Sequence, residues 1–130
     1  MTSGRRVSVA DMGGSGVLLL PHERVVGKVT GNHIRDGKAY DGALYVTSKR
    51  LVYVPWTSAQ LRGAMPFAIP LTEVTGADKP PRGTNWRDGS WWWPRLRITK
   101  SSGDTELFVL WRVRHAIGLV KRARQEVGIG

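Results

Sequence analysis

The sequence contains no cysteine, which excludes disulfide frameworks, thiolate zinc sites, iron–sulfur clusters and every cysteine-nucleophile mechanism. Long apolar runs are also missing. The longest near the start, Val17 to Leu20, falls far short of a signal-peptide core and of the ~20 residues that span a bilayer. The expectation is a cytoplasmic protein, peripheral at the inner face of a membrane if it meets one. Histidines are few and scattered: His22, His33 and His115 form no His-x-x-x-His or His-x-x-Glu-His grouping, so no metal site is expected. Gly13-Gly14-Ser15-Gly16 lacks the strand before it and the helix after it that would make it a phosphate loop. No serine, histidine and acid share a triad-like spacing either. A non-enzymatic protein without a cofactor is expected.

Acidic residues are scarce as well, with 10 Asp plus Glu against 20 Lys plus Arg and a formal charge of +10. Such an imbalance speaks about partners and not about fold. An acidic membrane leaflet, a nucleic-acid backbone and an acidic protein all fit it. At 130 residues with 41% hydrophobic content, the chain suits one domain, which needs no staple because folding buries roughly two thirds of its surface. Residues 1–16, rich in Gly and small polar residues, are expected to be a flexible tail, and 17–130 the domain.

From Glu23 to Trp111 the sequence is short Val, Tyr, Trp, Thr and Ile stretches cut by Gly, Pro, Asp and Asn, the spacing of an all-β barrel or sandwich. Strands are expected at 23–33, 42–47, 50–56, 66–70, 72–78, 92–99 and 105–111. After Trp111 the period changes. Val113, Ala116, Ile117, Val120, Ala123 and Val127 share one arc of a helix, with Arg114, His115, Lys121, Arg122, Gln125 and Glu126 opposite. Arg124 falls in the apolar arc, where a snorkelling side chain is expected. One amphipathic helix after the last strand can plug the mouth of a small barrel.

Gly42-Ala43-Leu44-Tyr45-Val46-Thr47-Ser48-Lys49-Arg50-Leu51-Val52-Tyr53-Val54 resembles the hairpin of GRAM domains, members of the pleckstrin-homology (PH) superfamily. Phe67-Ala68-Ile69-Pro70-Leu71 running into Glu73-Val74, Leu96-Arg97-Ile98-Thr99 with Ser102-Gly103 and Phe108, and the final helix extend the resemblance over roughly residues 18–125. It implies a seven-stranded antiparallel PH-like barrel of two near-orthogonal sheets capped by a C-terminal helix. It also implies a binding module for lipid headgroups or proteins. The first hairpin, with Lys28, His33, Arg35 and Lys38, is then the candidate headgroup loop, although Asp36 and Asp41 offset its charge.

Trp86, Trp91, Trp92 and Trp93, four of the chain's six tryptophans, stand close together among Arg82, Arg87, Arg95 and Arg97. Strand alternation with Leu96 and Ile98 inward puts Trp91, Trp93, Arg95 and Arg97 on the outer face. Pairing Thr99 with Thr105 and Leu96 with Phe108 across the Lys100–Asp104 turn adds Leu107, Val109 and Trp111 to that face. Either Val17–Leu20 or the Trp86 loop covers so large an apolar area, or a partner does. The candidate lipid- or partner-binding residues are therefore Arg82, Trp86, Arg87, Trp91, Trp93, Arg95, Arg97 and Trp111. Peripheral binding of anionic membrane lipid is the leading function, with protein interaction or homodimerisation second. Single-stranded nucleic acid comes third, since no aromatic-basic ribonucleoprotein motif is present.

Overall fold

A computed structural model describes residues 19–80 and 94–128. The tail expected at 1–16 and the candidate residues Arg82, Trp86, Arg87, Trp91 and Trp93 lie outside the described residues. All seven expected strands form: β1 (Val25–Arg35), β2 (Lys38–Thr47), β3 (Arg50–Pro55), β4 (Phe67–Pro70), β5 (Val74–Asp78), β6 (Arg95–Lys100) and β7 (Thr105–Val109). A one-turn helix α1 (Thr57–Gln60), absent from the sequence reading, interrupts the β3–β4 connection, and α2 (Val113–Glu126) ends the fold. Residues 72 and 73, expected to open a strand, belong instead to a 3-10 turn over Leu71–Glu73.

The strands hydrogen-bond in the order β4-β3-β2-β1-β7-β6-β5, antiparallel throughout. β1 joins the two halves of this order, because its length lets it pair with β2 along its whole course and with β7 over Asn32–Ile34. The expected β6–β7 register is the observed one, with Leu96 opposite Phe108 and Thr99 opposite Thr105.

The first hairpin corrects one expectation. Instead of an open loop from Asn32 to Asp41, the strands pair up to Arg35 opposite Lys38. Asp36 and Gly37 alone make the turn, both at positive φ (52° and 76°). A two-residue turn of that hand matches the twist of the strands it joins, and Asp-Gly adopts it at little cost. The Thr47–Arg50 turn owes its shape to one hydroxyl: Lys49 and Arg50 donate their backbone N–H groups to Thr47 Oγ1 at 3.1 and 2.9 Å.

Inside, Val29, Leu44, Val46, Leu51, Tyr53, Ile69, Leu96, Ile98 and Phe108 meet the apolar stripe of α2. That stripe is Val113, Ala116, Leu119, Val120 and Ala123; Ile117 is only half-buried, and Val127 is exposed. The helix can come so close because β1 has no side chain at Gly27, where a Cβ would lie 2.7 Å from both Leu119 methyls. Arg124 is half-buried, and its Nε finds no partner.

A second, smaller cluster lies on the outer face of β2 and β3, where Leu19 and Val25 pack against Ala43, Tyr45, Val52 and Val54. Leu19 thus covers the β2–β3 side and not the β6–β7 side for which Val17–Leu20 was a candidate. A buried carboxylate fastens this segment. Glu23 accepts from Thr47 Oγ1 at 2.6 Å, from Arg50 Nε and Nη2 at 2.8 and 3.1 Å, and from the Leu20 N–H at 2.7 Å. Burial raises the Glu23 carboxyl, but these hydrogen bonds outweigh it and hold the group below its ordinary value.

Candidate functional site

Of the four candidate residues of the first hairpin, Lys28, His33 and Arg35 lie on β1 and Lys38 opens β2, and alternation along β1 separates Lys28 from His33. Lys28 points outward, with its ammonium 5.8 Å from the centre of the Tyr45 ring. His33 points inward and is only 7% exposed. Its ring lies 4.8 Å from Phe67, 5.1 Å from Phe108 and 5.2 Å from Tyr53, centre to centre. His33 Nε2 is 2.8 Å from Glu106 Oε1, and Lys100 Nζ donates to the other carboxylate oxygen at 3.0 Å. Those bonds, His33 foremost, bring the Glu106 carboxyl below its ordinary value despite its partial burial. His33 is therefore a core residue paired with an acid and not an exposed headgroup ligand, which corrects its placement in the loop. Arg35 and Lys38 do stand together, opposite one another at the turn and exposed.

The outer face of β6 and β7 is also rearranged relative to expectation. Arg95, the first residue of β6, sits opposite Val109, which in turn sits opposite Asn32, and it is only 7% exposed. It offers no free cation to solvent. Arg97 forks onto Asp78 of the neighbouring strand, Nε to Oδ1 at 2.9 Å and Nη2 to Oδ2 at 2.6 Å, which lowers the Asp78 carboxyl and raises the guanidinium. Trp111 lies beyond the end of β7, 74% exposed at the entrance to α2. Trp111, expected within the last strand on its outer face, stands in solvent after that strand, which ends at Val109.

What sequence reasoning missed is the β3–β4 connection. Trp56 donates its backbone N–H to the Asp41 carbonyl at 3.0 Å, and Arg62 reaches the Ala39 carbonyl at 3.4 Å with its guanidinium 5.1 Å from the Tyr40 ring centre. The connection is thereby strapped to the first hairpin. Ala64 and Met65 from it, with Phe67 of β4 and Arg35, Tyr40, His33 and Tyr53, line a cleft of about 30 Å³, room for one water and not for a headgroup. Beside this shallow cleft, Leu61 is 85% exposed and Met65 69% exposed. A visible signal existed: Trp56, Leu61 and Met65 are large apolar residues in an eleven-residue connection where turn chemistry alone would call for polar ones.

This end of the barrel thus combines apolar side chains in solvent with Arg35, Lys38 and Arg62. α2 sits toward the other end, since Leu119 packs at Gly27, near the start of β1. Among the described residues no three potential metal ligands gather, and no helix is long and apolar enough to cross a membrane.

No protein-family model matches the sequence, and no curated protein matches it. Solved structures do match. The C-terminal domain of an unknown protein from Leishmania infantum superimposes with a TM-score of 0.62 at 14% identity, over 89% of this chain and 90% of that one. The Vps36 N-terminal PH domain gives 0.58 at 17% identity, over 87% and 88%. The PH domain of USP37 gives 0.49 at 16%, over 75% and 96%. Likeness at such identities is a likeness of fold: seven antiparallel strands in one sheet, closed by a C-terminal helix, make this chain PH-like.

Proposed function

We propose that the chain is a non-enzymatic binding module of the GRAM type within the PH-like fold, which attaches peripherally to anionic membrane lipid through the end formed by the first hairpin and the β3–β4 connection. The observation that carries this reading is the pair of exposed apolar side chains, Leu61 and Met65, beside Arg35, Lys38 and Arg62. Magnitudes decide how such an end works. Full transfer of a Leu or Met side chain out of water is worth roughly 1.5–3 kcal/mol, against about 1 kcal/mol for each cation near an acidic surface. Asp36 and Asp41 oppose the cations locally. Insertion therefore contributes more than local charge, while the net +10 of the chain draws it toward acidic surfaces from a distance.

The cleft is too small to enclose a headgroup, so the reading rests on the exposed side chains around it. Sedimentation with vesicles tests the reading. Binding to phosphatidylserine-containing vesicles, weak binding to pure phosphatidylcholine, and loss of both on the paired substitution Leu61→Asp and Met65→Asp are expected. Equal sedimentation of that variant would overturn it.

A further inference from the structure

The outward side of α2 contradicts what helix stability alone would select. Arg114, His115, Gly118, Lys121, Arg122 and Gln125 are all exposed, and at 100° per residue they fall within an arc of about 120° centred on Gly118. A glycine inside an exposed helix costs stability relative to alanine. Packing does not require it here: a Cβ at Gly118 would meet nothing within 4 Å. The first turn carries Arg114 and His115 and no acidic residue, against the helix dipole, and Arg112 at the N-cap makes no side-chain cap. These departures fall on or next to a single stripe. Its one acidic neighbour on the helix, Glu126, is occupied by Arg24.

We infer that this stripe is a docking surface for an acidic helix of a partner protein, which crosses α2 at Gly118. The absence of a side chain there lets a second helix axis come closer than two ordinary side chains allow, as Gly27 does for α2 on the inner side. Arg114 and His115 lie about 4.5–6 Å along the axis on one side of Gly118 and Lys121 and Arg122 lie about 4.5–6 Å on the other, placing cations on both flanks of the crossing. Carboxylates one turn before and after a small residue on the partner would meet them.

The other anionic partners fit less well. A membrane is flat and gains nothing from a missing side chain, and the stripe between Arg114 and Gln125 presents it no apolar group. Single-stranded nucleic acid needs successive aromatic platforms, whereas this side offers His115 and, just before the helix, Trp111 alone. This inference goes beyond membrane attachment and uses the outward side of α2, away from the first hairpin and the β3–β4 connection, so either can fail without the other.

The test uses a pool of 20-residue amphipathic peptides with an alanine at the centre of one face and Glu one turn to each side, beside the same pool with Lys for Glu. Duplex and single-stranded oligonucleotides and phosphatidylserine vesicles are titrated in parallel. Binding from the Glu pool only is expected, weakened at least tenfold by Gly118→Leu and at least a hundredfold by Arg114→Glu, Lys121→Glu and Arg122→Glu together. Gly118→Ala should melt higher than the native chain and still bind more weakly, which separates docking from folding if the leucine variant is unstable. No binding from the Glu pool, unchanged affinity in both Gly118 variants, or oligonucleotide or vesicle binding that the triple reversal removes while peptides do not bind, would each overturn the proposal.

Discussion

Replacing Gly27 by Ala would place a methyl group 2.7 Å from Leu119 Cδ1 and Cδ2, closer than such atoms approach in folded proteins. Either α2 moves off β1 or Leu119 leaves its rotamer, and overpacking of this kind costs about 1–3 kcal/mol. Leu119→Ala acts in the opposite sense. Leu119 is buried, and its truncation removes apolar contact and leaves a cavity beneath the helix, a loss of about 2–5 kcal/mol. In the double variant the methyl introduced on β1 occupies part of the space that the leucine vacated, so the two losses cannot simply add. The double variant should be more stable than the sum predicts by about 1 kcal/mol or more, within the range of coupling between residues in contact. Urea unfolding of the native chain, both single variants and the double variant closes the cycle. Additivity within about 0.5 kcal/mol, as seen for distant sites, would refute the close approach of α2 to β1.

Arg50→Ala should destabilise by about 3 kcal/mol, the low end for breaking a buried pair, because it strands the fully buried Glu23 carboxylate while Arg50 itself keeps some exposure; a loss under about 1 kcal/mol in denaturant unfolding would contradict this. Glu23 and Glu106 both have carboxyls held below their ordinary 4.5, so the stability they contribute is fully present above that value and is lost as pH falls through their folded-state values. The melting temperature should fall steadily below pH 4.5, less steeply in Glu106→Gln, and a flat profile down to about pH 3 would count against both networks. Tyr53→Phe removes the 2.6 Å bond from the phenol to the Tyr40 carbonyl and should cost about 1 kcal/mol. Burial pushes the Tyr53 hydroxyl up to about 12, so its phenolate absorbance should appear only above the range of ordinary tyrosines.

The strands and their register were legible because alternation and turn chemistry are local: Leu96 and Ile98 alternate with Arg95, Arg97 and Thr99, and Ser102-Gly103-Asp104 fixes the pairing. Helix periodicity located α2 to within a residue at each end, yet the arc was drawn around Ile117 when Leu119 is the residue at the barrel. The reason is Gly27, a gap on a strand nearly a hundred residues away in sequence that no helical wheel contains. Charge partners were equally hidden. Nothing near Arg97 in the sequence announces Asp78, and nothing near His33 announces Glu106, because sheet pairing creates both contacts. The apolar tip at Leu61 and Met65 differs: its large residues mark the connection as more than a turn, but in sequence an exposed leucine and a buried one look the same.

The chain's lack of cysteine permits one probe per variant, and that allows the central claim, insertion of the β3–β4 connection into an anionic membrane, to be read at single positions. Leu61→Cys and, at the far end, Arg122→Cys are each labelled with an environment-sensitive fluorophore and mixed with phosphatidylserine vesicles. A blue shift and brightening are expected at position 61 and none at position 122, with the shift at 61 surviving about 0.5 M salt in reduced amplitude, since screening weakens the charge attraction and not the apolar insertion. A silent probe at 61, or a larger shift at 122, would contradict it.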